Sequence, residues 1–268
     1  MNIDKKNLAF RKELAEELNI LKQTLHSTAI EKRSIDTIDR AIKALQDEKN
    51  LPKFVDETSP ELATITSPLS WGYSIKDFIL NIDTASSIQY PKSVKNATLI
   101  FSIDVVGVFN ISGHDFLDPF KSLEFNIVID GLSRSSKNHV FSYHLDRDLK
   151  GKNPSNEVHP SYHFHYGGRK LKDYTNKNFG NSLILDMPRI IHYPMDFILG
   201  IDFIVSNFSP NLWRILRRDN RYIRLVKQAQ KRVMKPYFGA LAQHFGFHGK
   251  IDGSWEGPNI IPQVMQNG

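Results

Sequence analysis

The sequence predicts an α+β protein with a central antiparallel sheet, an N-terminal helical hairpin and a C-terminal helical layer. Three observations favour this class. Apolar residues recur every three or four positions in residues 4–48, and strand-like alternation follows in residues 69–186. A helical pattern returns after residue 188. We therefore expect two structural units of different character along the chain.

The N-terminal unit is predicted to be a helical hairpin, residues 1–50. Both helices carry apolar seams: Leu14, Leu18, Leu21 and Leu25 in the first, and Ile35, Ile38, Ile42 and Leu45 in the second. The break falls near residues 27–34, where Ser34 or Asp36 is suited to cap the second helix. Such a hairpin packs on its own domain or docks onto the helices of a protein partner, and the pattern leaves both open.

The second unit is an α+β domain, residues 51–268. Its β-rich part is predicted to contain strands at residues 73–82, 97–109, 121–130, 138–148, 161–167 and 182–186. Residues 188–248 are helical and the remaining tail is irregular. Pro194 suits a first helical position, and the apolar residues 195–208 predict a buried helix. The next helix begins at Ser209-Pro210 and is expected to stop before Pro236.

Composition excludes several classes of function. The chain has no cysteine, so disulfides, thiol catalysis and thiolate metal sites are excluded. There is no P-loop, dinucleotide-binding fingerprint, G-x-S-x-G elbow or H-E-x-x-H helix. The first residues lack the apolar core of a secretion signal, and no apolar run is long enough to span a bilayer. We therefore expect a cytoplasmic protein with no membrane partner.

The positive charge of the chain is concentrated in one predicted helix, residues 210–235. This segment holds nine basic residues against Asp219 alone, a net +8, so the rest of the chain sums to −2. A row of cations predicts a nucleic-acid partner, RNA or DNA, because neutralised phosphates release counterions. A solvated face or an anionic membrane surface is the alternative. The predicted nucleic-acid-binding residues are Arg214, Arg217, Arg218, Arg221, Arg224, Lys227, Lys231 and Lys235.

Histidines on two neighbouring strands carry the chemical signal of the sequence. Side chains alternate between the two faces of a strand, so residues 138–148 and 161–167 each place their aromatic residues on one side and polar residues on the other. His159 precedes the second strand on its polar side. If the strands pair with their aromatic sides inward, four side chains converge: His144, Asp146, His163 and His165.

The first interpretation of this cluster is a phosphodiester-cleaving site. His163 or His165 would act as general base and another histidine as general acid, with Asp146 orienting an imidazole. Arg169 or Arg147 would stabilise the charged phosphorane. Arg189 and His192 lie just before the buried helix and are expected to close the site.

Two other interpretations compete with catalysis. A divalent metal, held by His163, His165 and His144, is the cofactor alternative. Cupin-type oxygenases present such an H-x-H pair, but a glutamate follows it three or four residues later, whereas this chain has Gly167-Gly168-Arg169-Lys170. The histidines are otherwise structural, each bonded to backbone or solvent.

Residues 139–208 resemble an uncharacterised family of bacterial proteins through H159-P-S-Y-H-F-H-Y-G-G and M187-P-R-I-I-H-Y-P. The Y-H-L-D-R-D…H-x-H pattern is also similar to small bacterial nuclease-like toxins. The first resemblance implies no activity. The second implies RNA or DNA cleavage in a toxin or defence system and transfers no catalytic residue.

The sequence thus predicts a nuclease-like protein that acts on nucleic acid through a histidine–aspartate cluster. The alternative is a non-catalytic subunit that binds nucleic acid through the basic helix and a protein partner through the N-terminal hairpin.

Overall fold

The computed structural model describes residues 3–56, 59, 62–82, 88, 93–110, 116–148, 159–167, 189–247 and 255–263. Helices at both ends of the chain flank a six-stranded antiparallel sheet, which confirms the predicted α+β class. The strand predicted at residues 182–186 and the predicted site residue Arg169 lie outside the described residues.

The N-terminal hairpin consists of three helices: α1 Ile3–His26, α2 Lys32–Ile35 and α3 Ile38–Gln46. Its seam residues belong to the same hydrophobic core as the sheet, so the hairpin packs on its own chain. The boundary at residue 50 stays a prediction. The expected cap at Ser34 or Asp36 is wrong, because Ser34 lies inside α2 and Thr37 precedes α3. Buried Arg11 closes the other end of α3 by donating to the carbonyl oxygens of Ala44 (2.9 Å) and Asp47.

The strands form two antiparallel sheets. A small sheet pairs β1 Lys53–Val55 with β2 Thr64–Thr66. The large sheet is a meander in which each strand pairs with the next: β3 Ser70–Asn81, β4 Val94–Val108, β5 Ser122–Ser133, β6 Asn138–Arg147, β7 Tyr162–Tyr166 and β8 Ile190–Ile191. The five predicted strands within the described residues match β3 to β7 to within a few residues, because alternation is a strong local signal.

One face of the large sheet is the core face, covered by the apolar helix α4, Phe197–Phe208. Phe197 stacks on Phe101 of β4 with ring centroids 5.4 Å apart, and Phe203 stacks on Phe164 of β7 at 5.5 Å. Helix α4 starts three residues later than Pro194 predicts. The carboxylate of Asp196 accepts the backbone N–H of Leu199 (3.0 Å) and so sets the N-cap.

Gly200 brings the backbone of α4 close to the sheet. A Cβ built there lies 2.7 Å from ring atoms of both Phe101 and Phe125, closer than carbon atoms pack. We expect Gly200→Ala to lower the free energy of unfolding by about 1–3 kcal/mol, although alanine is the better helix former. Urea denaturation measures this, with Ser206→Ala on the exposed side of α4 as the control. Unchanged or increased stability in Gly200→Ala would contradict the close approach.

The C-terminal layer continues with α5 Pro210–Leu216, α6 Asn220–Ala229, a π-helical turn Gln230–Met234, α7 Lys235–His244 and α8 Gly257–Ile260. The predicted start at Ser209-Pro210 is confirmed, but the single basic helix predicted over residues 210–235 is wrong in its middle and at its end. A break falls at residues 217–219, because the Asp219 carboxylate caps α6 by accepting the N–H of Arg221 (2.8 Å). The helix then passes through Pro236 instead of stopping before it.

The π-helical turn explains how the helix tolerates Pro236. Proline has no N–H to donate, and its ring clashes with the carbonyl four residues earlier in an α-helix. Immediately before it the pattern widens, and the N–H of Lys235 bonds to the carbonyl of Gln230, five residues back. Residues 220–244 thus run as one helix, referred to below as the long helix.

A buried ion triad joins the hairpin to the C-terminal layer. Arg232, on the π-helical turn, contacts the carboxylates of Glu17 on α1 (2.9 Å) and Asp196 at the start of α4 (2.8 Å). Burial alone lowers the pKa of Arg232, but the two carboxylates raise it further than burial lowers it. Burial raises the pKa of Glu17, and Arg232 acts against that rise. The triad therefore joins α1, the start of α4 and the π-helical turn. Removing one partner would leave a buried charge uncompensated, which is strongly destabilising.

The tail packs on the sheet through α8. The N–H of Ser161 donates to the carbonyl of Ile260 (2.9 Å), and the ring of Trp255 contacts that of Tyr162. Within the described part of the chain, every helix is too short or too polar to cross a bilayer.

Candidate functional site

Strand pairing brings the predicted histidine residues together. In the register of β6 and β7, His144 lies opposite His165 and Asp146 lies opposite His163. These side chains point away from the core face, since Leu145 and Phe164, their neighbours in sequence, are buried among the core residues. The four residues therefore share the face of the sheet opposite α4. We call this group, with His159, the histidine cluster.

The rings of the cluster are in direct contact. His144 and His165 stack nearly parallel, with centroids 4.6 Å apart and planes 10° from each other. His163 meets His165 at 4.7 Å and His159 at 5.7 Å. Nε2 of His144 lies 3.3 Å from Oδ2 of Asp146, whose side chain is 40% exposed. An imidazole with a carboxylate partner beside a second imidazole can pass protons to and from a bound molecule.

His163 is the most buried member, with 3% of its surface exposed. Its Nδ1 lies 3.0 Å from the carbonyl oxygen of Pro160, which only accepts, so Nδ1 carries the proton and Nε2 is left as an acceptor. Burial lowers its pKa to about 4, and the nearby charges of His165, His159 and Arg189 lower it too. A general base works best with a pKa near the working pH, so His163 suits positioning better than proton transfer.

The lowered pKa of His163 makes stability depend on pH. Between its ordinary pKa of 6.5 and about 4, the unfolded chain binds a proton that the folded protein does not, so folding weakens as pH falls. At pH 4 the loss from this residue amounts to about 3 kcal/mol. We expect His163→Asn, whose amide can still donate to Pro160, to remove this part of the acid sensitivity.

The measurement is urea denaturation of both proteins at several pH values from 7.5 to 4. The difference between them isolates His163, because the pKa of His192 is also lowered by burial but His192 is common to both. A constant difference across this range would contradict the lowered pKa.

The other predicted site residues are placed differently. His192 packs against Phe164 (4.6 Å), on the core face, so the structure does not bring it to the histidine cluster. Arg189 lies near enough to His163 for its charge to lower that pKa. Arg147 also points to the core side, where its guanidinium contacts the carboxylate of Asp118 (2.8 Å). The expectation that Arg147 stabilises a phosphorane is therefore not supported by its position.

The metal alternative finds no support in this geometry. Among the residues that the structure describes, no group of three or more histidine, aspartate or glutamate side chains is arranged to hold a metal ion. His144 and His165 are stacked face to face, whereas two ligands of one metal point their ring nitrogens at a common centre.

Neighbouring strands add further polar residues to this face, which the sequence pattern did not identify as part of the site. Asp104 and Glu124 continue the cross-strand row that ends in Asp146 and His163. Asn126 lies opposite His144 in the next row. Glu124 lies between two carboxylates in this row, an arrangement that costs stability when the charges are unpaired, but Lys76 contacts the carboxylate of Asp104 and His144 contacts that of Asp146. The alternation of residues 121–130 was visible in the sequence, but the sequence did not show that this strand lies beside β6.

The predicted nucleic-acid-binding residues divide into two groups. Arg217 is held by Asp202 (2.5 Å) and Arg221 by Asp219 (2.8 Å), so these charges are neutralised within the molecule. The second group is exposed on the C-terminal layer and comprises Arg214, Arg218, Arg224, Lys227, Lys231 and Lys235. Helices α5 and α6 pack against α4 on the core side of the sheet, and the exposed cations lie on the outer surface of these helices and of the helix that continues α6, whereas the histidine cluster lies on the other face of the sheet.

Comparisons with protein-family models, curated proteins and solved structures found no match. The resemblance of residues 139–208 to an uncharacterised bacterial family and to nuclease-like toxins therefore stays a hypothesis.

Proposed function

We propose that the protein cleaves phosphodiester bonds in nucleic acid, using the histidine cluster for general acid–base catalysis. The observation that carries the proposal is the pairing of His144 with Asp146 and its parallel contact with His165. Two imidazoles in parallel contact do not readily carry two positive charges, because like charges so close together repel, so one ring is protonated while the other is neutral in the proposed active form. The pair then holds one group that accepts a proton and one that donates a proton.

Cleavage by this pair needs no other proton carrier. The neutral imidazole takes a proton from the attacking oxygen, a 2′-hydroxyl in RNA or a water molecule, as the new P–O bond forms. The protonated imidazole gives its proton to the oxygen whose P–O bond breaks. Asp146 fixes the ring of His144 and stabilises it when it is charged.

Neighbouring groups support this arrangement. Arg189, close to His163, supplies positive charge next to the cluster for the developing phosphorane. His163, bonded to the Pro160 carbonyl, stays neutral and keeps its ring against His165, so it acts as a positioning residue. The side chain of Asp146 is 40% exposed and that of His144 is 13% exposed, so a substrate would approach the cluster past Asp146.

The test is cleavage of fluorescently labelled single-stranded RNA and DNA by the purified protein. Wild type is compared with a His144→Gln/His165→Gln double variant, in buffer containing a chelator and in buffer containing a divalent metal. Loss of cleavage in the double variant supports the proposal, and equal cleavage by both proteins overturns it. No cleavage by wild type in either buffer would favour the alternative, a non-catalytic nucleic-acid-binding subunit.

A further inference from the structure

The long helix keeps one side exposed along its whole length. Its inner side is buried through residues such as Tyr222, Val226 and Ala240. The exposed positions recur every three or four residues from Arg224 to Phe238, and exposed Phe245 follows seven residues later at the C-cap; we call this set the stripe: Arg224, Lys227, Gln228, Lys231, Lys235, Phe238 and Phe245. The stripe begins with cations and ends with aromatic rings.

The side chains in the cationic part of the stripe, all from this one helix, border a shallow and open groove of about 380 Å³. Among the residues that the structure describes, its charged lining residues are Arg224, Lys227 and Lys231, its other lining residues are Asn220, Ile223 and Gln228, and none of them is a carboxylate. Cations without an adjacent carboxylate attract phosphates more strongly than paired ones. The groove therefore retains the attraction for phosphate that Arg217 and Arg221 lose to their aspartates.

The aromatic part of the stripe lies about 10 Å further along the helix. Phe238 is 48% exposed and Phe245 is 62% exposed. Each ring is supported from one side: Phe238 meets Tyr237 edge to face at 5.3 Å, and Phe245 meets His244 at 5.1 Å. Rings fixed in this way can stack on an unpaired base without first losing side-chain freedom.

We propose that this stripe binds single-stranded nucleic acid, with Arg224, Lys227 and Lys231 on phosphates and Phe238 and Phe245 stacked on bases. A positively charged groove followed by aromatic rings is the combination that binds single strands without sequence preference. A duplex keeps its bases stacked and gives the two rings nothing to bind. An anionic membrane fits less well, because the apolar side of the long helix is buried in the core.

The proposal rests on the proposed function in one respect: the nucleic acid that binds to the stripe is taken to be the substrate that the histidine cluster cleaves. The stripe lies on the outer surface of the C-terminal layer, whereas the histidine cluster lies on the other face of the sheet. A nucleic-acid strand bound along the stripe therefore reaches the histidine cluster only with nucleotides far from those in contact with the stripe. Long substrates gain affinity from the stripe, whereas a dinucleotide reaches the cluster without it.

Binding is tested by fluorescence anisotropy with a labelled oligonucleotide of about 20 nucleotides, longer than the roughly 4–16 that one module covers. All variants carry His144→Gln/His165→Gln, so the probe is not cleaved and the result does not depend on catalysis. Arg224→Gln/Lys227→Gln/Lys231→Gln is expected to weaken binding and to lower the slope of log K against log salt by about 2.

The matched control removes the same charges elsewhere: Lys32→Gln/Arg33→Gln/Lys43→Gln, all exposed on the hairpin. It is expected to leave the salt slope unchanged. Phe238→Ala/Phe245→Ala is expected to weaken binding about tenfold per ring at an unchanged salt slope.

Three outcomes would overturn the proposal: equal weakening by the groove variant and its control, no effect of the phenylalanine variant, or tighter binding to duplex than to single strands. A fourth outcome would overturn the proposal in favour of a membrane surface: the groove and phenylalanine variants bind phosphatidylserine vesicles less well than wild type but bind the oligonucleotide equally well. If wild type cleaves, unchanged dinucleotide cleavage by the groove variant supports the separation of the two sites, and a loss contradicts it.

Discussion

Replacing His144 and His165 with glutamine is expected to lower kcat/KM for cleavage of a single-stranded oligonucleotide by about 10²–10⁴-fold. The reason is geometric, since the two rings are in parallel contact and one of them holds Asp146. Removing both imidazoles removes the proton acceptor and the proton donor together. Glutamine keeps a polar side chain of similar length, so the loss reports proton transfer and not a collapsed sheet.

The matched control is His26→Gln/His139→Gln, which removes two exposed histidines, at the end of α1 and the start of β6. This variant is expected to cleave at the wild-type rate. Asp146→Asn separates positioning from chemistry: it is expected to lower kcat with little change in KM, and Asp146→Glu is expected to restore part of the loss. Equal losses in the cluster variant and in the control would show that these histidines act through stability alone.

Replacing Arg232 with methionine is expected to destabilise the protein by about 3–5 kcal/mol. The change leaves the carboxylates of Glu17 and Asp196 buried without the guanidinium that both contact. The pKa of Glu17, already raised by burial, then rises further because Arg232 no longer counteracts it. Urea denaturation at neutral pH measures the loss.

A double-mutant cycle tests whether the charges are coupled. Adding Glu17→Met to Arg232→Met is expected to recover part of the stability, because an apolar pair replaces one carboxylate left without its cation. Asp196 keeps its bond to the N–H of Leu199 in both variants. Lys12→Met, at an exposed contact with Glu48, is the control and should cost less than about 1 kcal/mol. Additive losses in the cycle would contradict the triad.

Local periodicity made much of this fold predictable. The alternation in residues 138–148 and 161–167 was enough to place His144, Asp146, His163 and His165 on polar sides of their strands. A side chain's direction along a strand depends only on its own backbone, so it repeats every two residues whatever lies beside it. The apolar seams of α1 and α3 were readable for the same reason, with a period of 3.6 residues.

Helix boundaries were less predictable, because they depend on bonds made by single side chains. The break before α6 follows from the Asp219 cap, and the passage through Pro236 follows from the wider π-helical turn. Neither feature changes the pattern of charges along residues 210–235. A row of cations that looked continuous in sequence is therefore split by the break between α5 and α6.

Local sequence patterns were sufficient to predict the fold class, the strands that carry the histidines and a concentration of cations in the C-terminal part of the chain. Which of these groups meet depends on how the elements pack in three dimensions. Asp202 neutralises Arg217, Arg232 joins Glu17 across most of the chain, and His192 lies on the face of the sheet opposite His163. Each is a contact between segments far apart in sequence, set by strand register and helix packing. Local propensity repeats over a few residues and carries no information about such partners.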